Sequence, residues 1–132
     1  MAENTMTVKI IAPDRVFFEG VASFIEFNTI EGIIGVYPKH IPMTVVIEPG
    51  VLKIVTGEGE KKAALHSGFA EILGDSITIL AESVEWPDEI DSRRAEEAKI
   101  RAERRIKDIS QDQNRAELAL KRSILRLQMT KE

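Results

Sequence analysis

The chain has 132 residues, 43% of them hydrophobic and 30% charged, with a net charge of −4 and no cysteine. That length supports one substantial core, with room for a small appended unit. Without cysteine there is no disulfide framework, thiolate metal site or thiol nucleophile, which suits a reducing compartment, and the mild acidity is no general nucleic-acid signature.

Met1-Ala2-Glu3-Asn4-Thr5 is not a basic segment leading into an apolar run, so no secretory signal is expected. The longest apolar runs, such as Val45-Val46-Ile47, are far too short to cross a bilayer, so membrane association is expected only through partners.

From Thr7 to Ala81 the pattern is that of short strands. Val8 and Ile10, then Val16 and Phe18, alternate with other residues, and Ile25 and Phe27 share a face. Further runs are Ile33–Tyr37, Met43–Ile47, Val51–Val55, Lys62–Leu65, Phe69–Leu73 and Ser76–Leu80. Turn signals separate them: Pro13-Asp14, Glu31-Gly32, Glu48-Pro49-Gly50, Gly57-Glu58-Gly59, Ser67-Gly68 and Gly74-Asp75. About eight to ten strands at this spacing, with no helix between them, predict an antiparallel β-sandwich or flattened barrel.

The rules change in the stretch Glu85–Ala95. All eight glycines lie at or before Gly74 and all five prolines at or before Pro87. Residues 1–89 carry six Lys/Arg against fourteen Asp/Glu, whereas residues 90–132 carry twelve against eight. Beyond Pro87 the period becomes helical: Ala95, Ala98, Ala102, Ile106 and Ile109 fall on one face. Asp88 or Asp91 is placed to cap its start. Ser110 and Gln113 have the spacing of a capping box for a second helix, in which Ala116, Leu120, Ser123 and Leu127 share a face. The expected organisation is a β-domain over 1–87 and an antiparallel two-helix hairpin over 88–132, an α+β, mainly β, chain. Burial is worth roughly 25 cal/mol per Å², so a seam of methyl groups closes weakly and suits an element that opens.

Candidate sites are few. His40 and His66 are the only histidines, too few for a metal site, so no structural metal is expected. His40 lies in the proline-fixed segment Pro38-Lys39-His40-Ile41-Pro42, where structural or interface duty outweighs catalysis. No nucleophile elbow, phosphate-binding glycine loop or paired-carboxylate motif is present. Arg101 and Arg105 share a helix face, as do Arg122 and Arg126. Position 118 is leucine and 130 is threonine, so neither Arg122 nor Arg126 has an acid four residues away. Two guanidinium groups one turn apart suit a bidentate anion such as a phosphate.

Three segments, Val8-Lys9-Ile10-Ile11-Ala12-Pro13, Gly32-Ile33-Ile34-Gly35-Val36-Tyr37-Pro38-Lys39-His40-Ile41-Pro42 and Ser67-Gly68-Phe69-Ala70-Glu71-Ile72, resemble the epsilon subunits of bacterial F-type ATP synthases. So do Ile90-Asp91-Ser92-Arg93-Arg94-Ala95 and Arg115-Ala116-Glu117-Leu118-Ala119-Leu120-Lys121-Arg122. The resemblance covers nearly the whole chain. It implies a non-catalytic, central-stalk (rotor) subunit, monomeric when isolated, peripheral on the cytoplasmic face of the bacterial membrane. Its sandwich would bind the gamma subunit and the membrane ring of c subunits, with Gly32, Pro38, His40 and Pro42 in the interface loop. Its hairpin would extend toward the catalytic alpha and beta subunits and inhibit ATP hydrolysis. Some members bind ATP, without turning it over, on the folded hairpin through an Ile/Leu-Asp-x-x-Arg-Ala motif. Ile90, Asp91, Arg94 and Ala95 match that motif; Arg101, Arg122 and Arg126 stand at further basic contacts, and Glu85 at an acidic one. The alternative from the residues alone is a nucleic-acid-binding protein docking its basic hairpin on phosphates. Against it, the helical half has no aromatic residue to stack on bases, and eight acids are interspersed there.

Overall fold

The structure, a computed structural model, describes residues 4–108 and 112–130. The chain divides into two compact units, Met1–Glu85 and Trp86–Glu132.

In the first unit the period-two patterns become ten strands. They are β1 (Met6–Ala12), β2 (Arg15–Ala22), β3 (Phe24–Thr29), β4 (Gly32–Val36), β5 (His40–Ile47), β6 (Gly50–Thr56), β7 (Gly59–Leu65), β8 (Gly68–Gly74), β9 (Ser76–Ala81) and β10 (Val84–Glu85). Their hydrogen-bonded order is β10-β7-β6-β3-β5-β8-β9-β1-β2, with β4 beside β3. The two ends of this path approach each other: the Arg15 guanidinium on β2 donates to the Val84 carbonyl on β10 at 3.4 Å. The sheet is therefore a flattened barrel, and Val8, Ile10, Ile25, Phe27, Leu52, Ile54, Ile72, Ile77 and Ile79 fill its interior, all buried.

Three details depart from the sequence reading. The strand directions are not all antiparallel, because β1 and β9 run parallel, with Val8 beside Ile77 and Ile10 beside Ile79. No hairpin joins these two strands, so no turn dictates their sense. In β2 the inward residue is Phe17, while Val16 is exposed and Phe18 half-buried. A bulge causes this: Ile10 opposes Phe18 and Ile11 opposes Val16, leaving Phe17 as the extra residue. The third departure, β10, has only two residues, too few to show a period.

Two hairpin turns have the same construction. Thr29 Oγ1 accepts from the Glu31 amide at 3.1 Å and donates to the Gly32 carbonyl at 2.7 Å. Thr56 Oγ1 does the same with Glu58 and Gly59, at 3.2 Å each. Gly32 and Gly59 have φ of 120° and 122°, a region other residues reach only with strain. The sequences Thr-Ile-Glu-Gly and Thr-Gly-Glu-Gly thus encode one turn twice.

The second unit starts with a single 3-10 turn, Pro87–Glu89, followed by α1 (Ser92–Lys107) and α2 (Gln113–Thr130). The two helices form a hairpin, packed along their length. Asp91 caps α1, its Oδ1 accepting from the Arg94 amide at 3.1 Å, as the spacing predicts. The predicted capping role of Ser110 falls outside the described residues. Asp112 caps α2 through the Arg115 amide at 3.1 Å. Gln113 instead closes α1, its Nε2 donating to the carbonyls of Arg105 at 3.2 Å and Asp108 at 2.9 Å.

Candidate functional sites

The small-residue stripes lie where the period puts them. Ala95 and Ala102 on α1 and Ala116 and Ser123 on α2 are buried, while Ala98, Ile106, Leu120 and Leu127 are half-buried. Ile109 lies outside the described residues. The Ser123 hydroxyl donates back to the Ala119 carbonyl at 2.9 Å, so it enters the seam with its donor satisfied. A second stripe was not legible beforehand: Leu125 and Met129, on the opposite face of α2, are also buried. Leu118 and Ile124 blur the period there.

The residues matching the ATP motif occupy defined structural positions. Ile90 is half-buried at the end of the 3-10 turn, its amide donating to the Pro87 carbonyl at 3.3 Å. Asp91 is the cap, its carbonyl also accepting from the Ala95 amide at 3.0 Å. Arg94 is exposed on the first turn of α1 and Ala95 is in the seam. Arg101 is exposed two turns further on. Arg122 and Arg126 are half-buried, one turn apart, on the last part of α2. Hairpin topology sets the start of α1, with Asp91 and Arg94, beside the last part of α2, with Arg126, while Arg122 and Arg101 stand further along the hairpin. The amides at the start of α1 are already met by the Asp91 carboxylate, so it is the guanidinium groups, not the helix start, that an anion there would meet.

Glu85 is differently engaged. It ends β10 in the first unit, and its Oε1 lies 3.1 Å from Nε2 of His66. His66 is 0% exposed and the Glu85 side chain 23%. Since a carboxylate only accepts, Nε2–H donates. The sequence carries one signal of this, a polar residue directly after the apolar run Ala63-Ala64-Leu65.

At the β4–β5 edge the structure exposes large apolar groups. Ile33 is 69% exposed, Ile41 75% and Phe69 56%, and Ile30, Tyr37, Met43, Val46 and Leu73 are exposed too. A cleft of about 390 Å³ runs between the β3–β4 turn and β5, walled by Ile33, Ile34, Met43 and Val46. Scattered apolar residues are ordinary, but a contiguous group marks a contact surface. Of the predicted interface residues, Gly32 forms the turn and Pro42 is exposed, whereas Pro38 and His40 are half-buried. Nδ1 of His40 lies 2.7 Å from the Ile41 carbonyl. Ile41 and Pro42 sit in a bulge between the pairs His40–Gly74 and Met43–Ile72, where a proline forfeits no ladder bond. Lys39 has φ of 67°, held by its amide donating to the Gly74 carbonyl at 3.2 Å. A left-handed residue with a Cβ costs roughly 1–2 kcal/mol. Lys39→Gly is therefore expected to raise stability by about 1 kcal/mol, read as a higher denaturant midpoint at unchanged slope.

Among the described residues no helix is long and apolar enough to cross a membrane.

Family models match both parts of the chain: the ATP synthase delta/epsilon chain β-sandwich domain over residues 5–87 and the delta/epsilon long α-helix domain over 88–131. The chain is 43% identical over 128 residues to the ATP synthase epsilon chain of Exiguobacterium sp., covering 94% of each. It is 42% identical to that of Clostridium novyi, covering 96% of this chain and 98% of the relative. It is 39% identical to that of Shouchella clausii, covering 96% of each. The fold is similar to a chain of the Euglena gracilis mitochondrial ATP synthase, with TM-score 0.83, 19% identity and coverage of 98% of this chain and 82% of that one. The chain belongs to the ATP synthase delta/epsilon family, as one of its epsilon chains. It is a non-catalytic subunit of that complex.

Proposed function

We propose that this subunit sits in the central stalk on the cytoplasmic face of the bacterial membrane and couples ion translocation to ATP synthesis, its apolar β4–β5 edge docking on the gamma subunit and the ring of c subunits. The exposed group around Ile33, Ile41, Met43 and Phe69 supports this reading, because its desolvation needs protein partners.

The helical unit is the regulatory part. Its seam is small side chains, so closure is weak. Straightened, residues 92–130 would form one helix of about 60 Å at 1.5 Å per residue, long enough to reach the catalytic alpha and beta subunits and block hydrolysis. ATP binds the folded hairpin: Arg94, Arg101, Arg122 and Arg126 take the phosphates, while Ile90, Asp91 and Ala95 stand near the base. A ligand can shift the two states only by binding one of them better, so high ATP favours the folded, permissive form.

Two measurements test this. Deleting residues 88–132 is expected to raise ATP hydrolysis by the reconstituted complex several-fold at low ATP and little at high ATP. Unchanged hydrolysis at every ATP concentration rules out the brake. Calorimetric titration of the isolated chain with ATP is expected to show one site, weakened tenfold or more in Arg126→Ala, the loss of a charge-assisted contact worth about 1.5–3 kcal/mol. A flat titration of the intact chain rules out the ATP site and leaves the brake standing.

A further inference from the structure

The last strand of the first unit is held in an unusual way. Strand β10 pairs with β7 through only two residue pairs, Val84 with Leu65 and Glu85 with Ala64, at the end of the sheet path. Around it the His66 amide donates to the Ser83 carbonyl at 2.9 Å, and Arg15 donates to the Val84 carbonyl at 3.4 Å. One side-chain anchor is the bond from His66 Nε2 to Glu85 at 3.1 Å. His66 is wholly buried, and its other ring nitrogen, Nδ1, is buried with no hydrogen-bond partner among the described residues. A buried polar nitrogen without a partner opposes burial, where an aliphatic side chain would carry no such cost. The strand is thus closed by a contact that is only half satisfied, and Trp86, directly after Glu85, begins the second unit.

We propose that β10 is a releasable clasp: it detaches from β7 without unfolding of the remaining sheet, and the His66–Glu85 bond sets how often it does so. Release frees residues 83–85, Glu82 staying held by its amide on the Ser67 carbonyl at 2.7 Å, and adds about 10 Å of reach to the tether of the helical unit, at roughly 3.3 Å per residue. Val84, buried in the closed state, keeps the clasp shut most of the time. The clasp itself rests only on the geometry of the first unit; its use as a control on hairpin extension rests on the regulatory reading above.

Amide hydrogen exchange on the intact chain tests the opening. The His66 amide is expected to exchange at least tenfold faster than the amides of Ile72 and Ile79, and Glu85→Ala to speed it about tenfold more while those core amides stay unchanged. A His66 amide that exchanges at the core rate, and follows only global stability, overturns the clasp. Locking tests the control. The chain lacks cysteine, so Leu65→Cys/Val84→Cys places one disulfide across directly paired positions. Oxidised, this variant is expected to lose the brake on hydrolysis by the reconstituted complex and to regain it on reduction. Equal inhibition in both redox forms overturns the tether role. If the intact wild-type chain does not inhibit at all, the brake fails, and the clasp stands or falls on the exchange data.

Discussion

Gly68→Ala is expected to destabilise the β-unit by about 3 kcal/mol, at the upper end of what overpacking costs. Gly68 starts β8 opposite Ala81, and a Cβ built there would fall 2.2 Å from the Leu80 carbonyl oxygen and 3.0 Å from Cα of Ala81. Both neighbours are backbone, so the only relief is separation of β8 from β9. That strand pair also anchors β5 on one side and β1 on the other, and the disturbance spreads through the centre of the sheet path. For a unit of this size the melting temperature should fall roughly 4–8 °C per kcal/mol. Gly57→Ala is the control, since nothing lies within 4 Å of its added Cβ and its change should stay within about 0.5 kcal/mol. Equal melting of the two variants would show that the β8–β9 approach is softer than the geometry says.

Ala102→Leu is expected to open the hairpin at a cost of about 2–3 kcal/mol in helix–helix packing. Ala102 is buried on α1, whose only extensive packing partner among the described elements is α2. The other fully buried seam residues, Ala95, Ala116 and Ser123, are small as well, so an isobutyl group in place of the 1%-exposed Ala102 methyl has to displace its neighbours. A seam of methyl groups gains little from burial, and one oversized side chain offsets much of it. Helix content should survive, because the caps Asp91 and Asp112 and the Gln113 bonds are local. The measurable result is faster amide exchange along the seam at nearly unchanged helical dichroism. In the assembled complex the same variant should hold hydrolysis down at ATP concentrations that release the wild type. Glu103→Ala, one residue along and exposed, should do neither.

Much of the fold is written in local pattern. Alternation placed the first three strands, and apolar runs between turn signals placed six more. The absence of Gly and Pro after Pro87, with the alanine period, placed the helices, and Asp88 and Asp91 were both legible as caps because capping is a contact within four residues; the structure chooses Asp91. Of the candidate ATP residues, Ile90, Asp91, Arg94 and Ala95 come from the family resemblance alone, whereas the placing of Arg122 and Arg126 one turn apart is read from the helical period itself.

What the tertiary structure alone decided depends on residues distant in sequence. The parallel pairing of β1 with β9 joins segments about seventy residues apart, and no local period encodes its direction. Phe17 turns inward because a bulge in β2 shifts its register against β1. Leu125 and Met129 are buried on a face that the helical period of α2 alone does not single out. Strand β10 exists because Val84 and Glu85 meet Leu65 and Ala64, and the buried His66 finds its hydrogen-bond acceptor in Glu85, nineteen residues on. Periodicity reports which face of an element is apolar; which element covers that face, and which polar group meets a buried one, follows only from closure of the whole sheet.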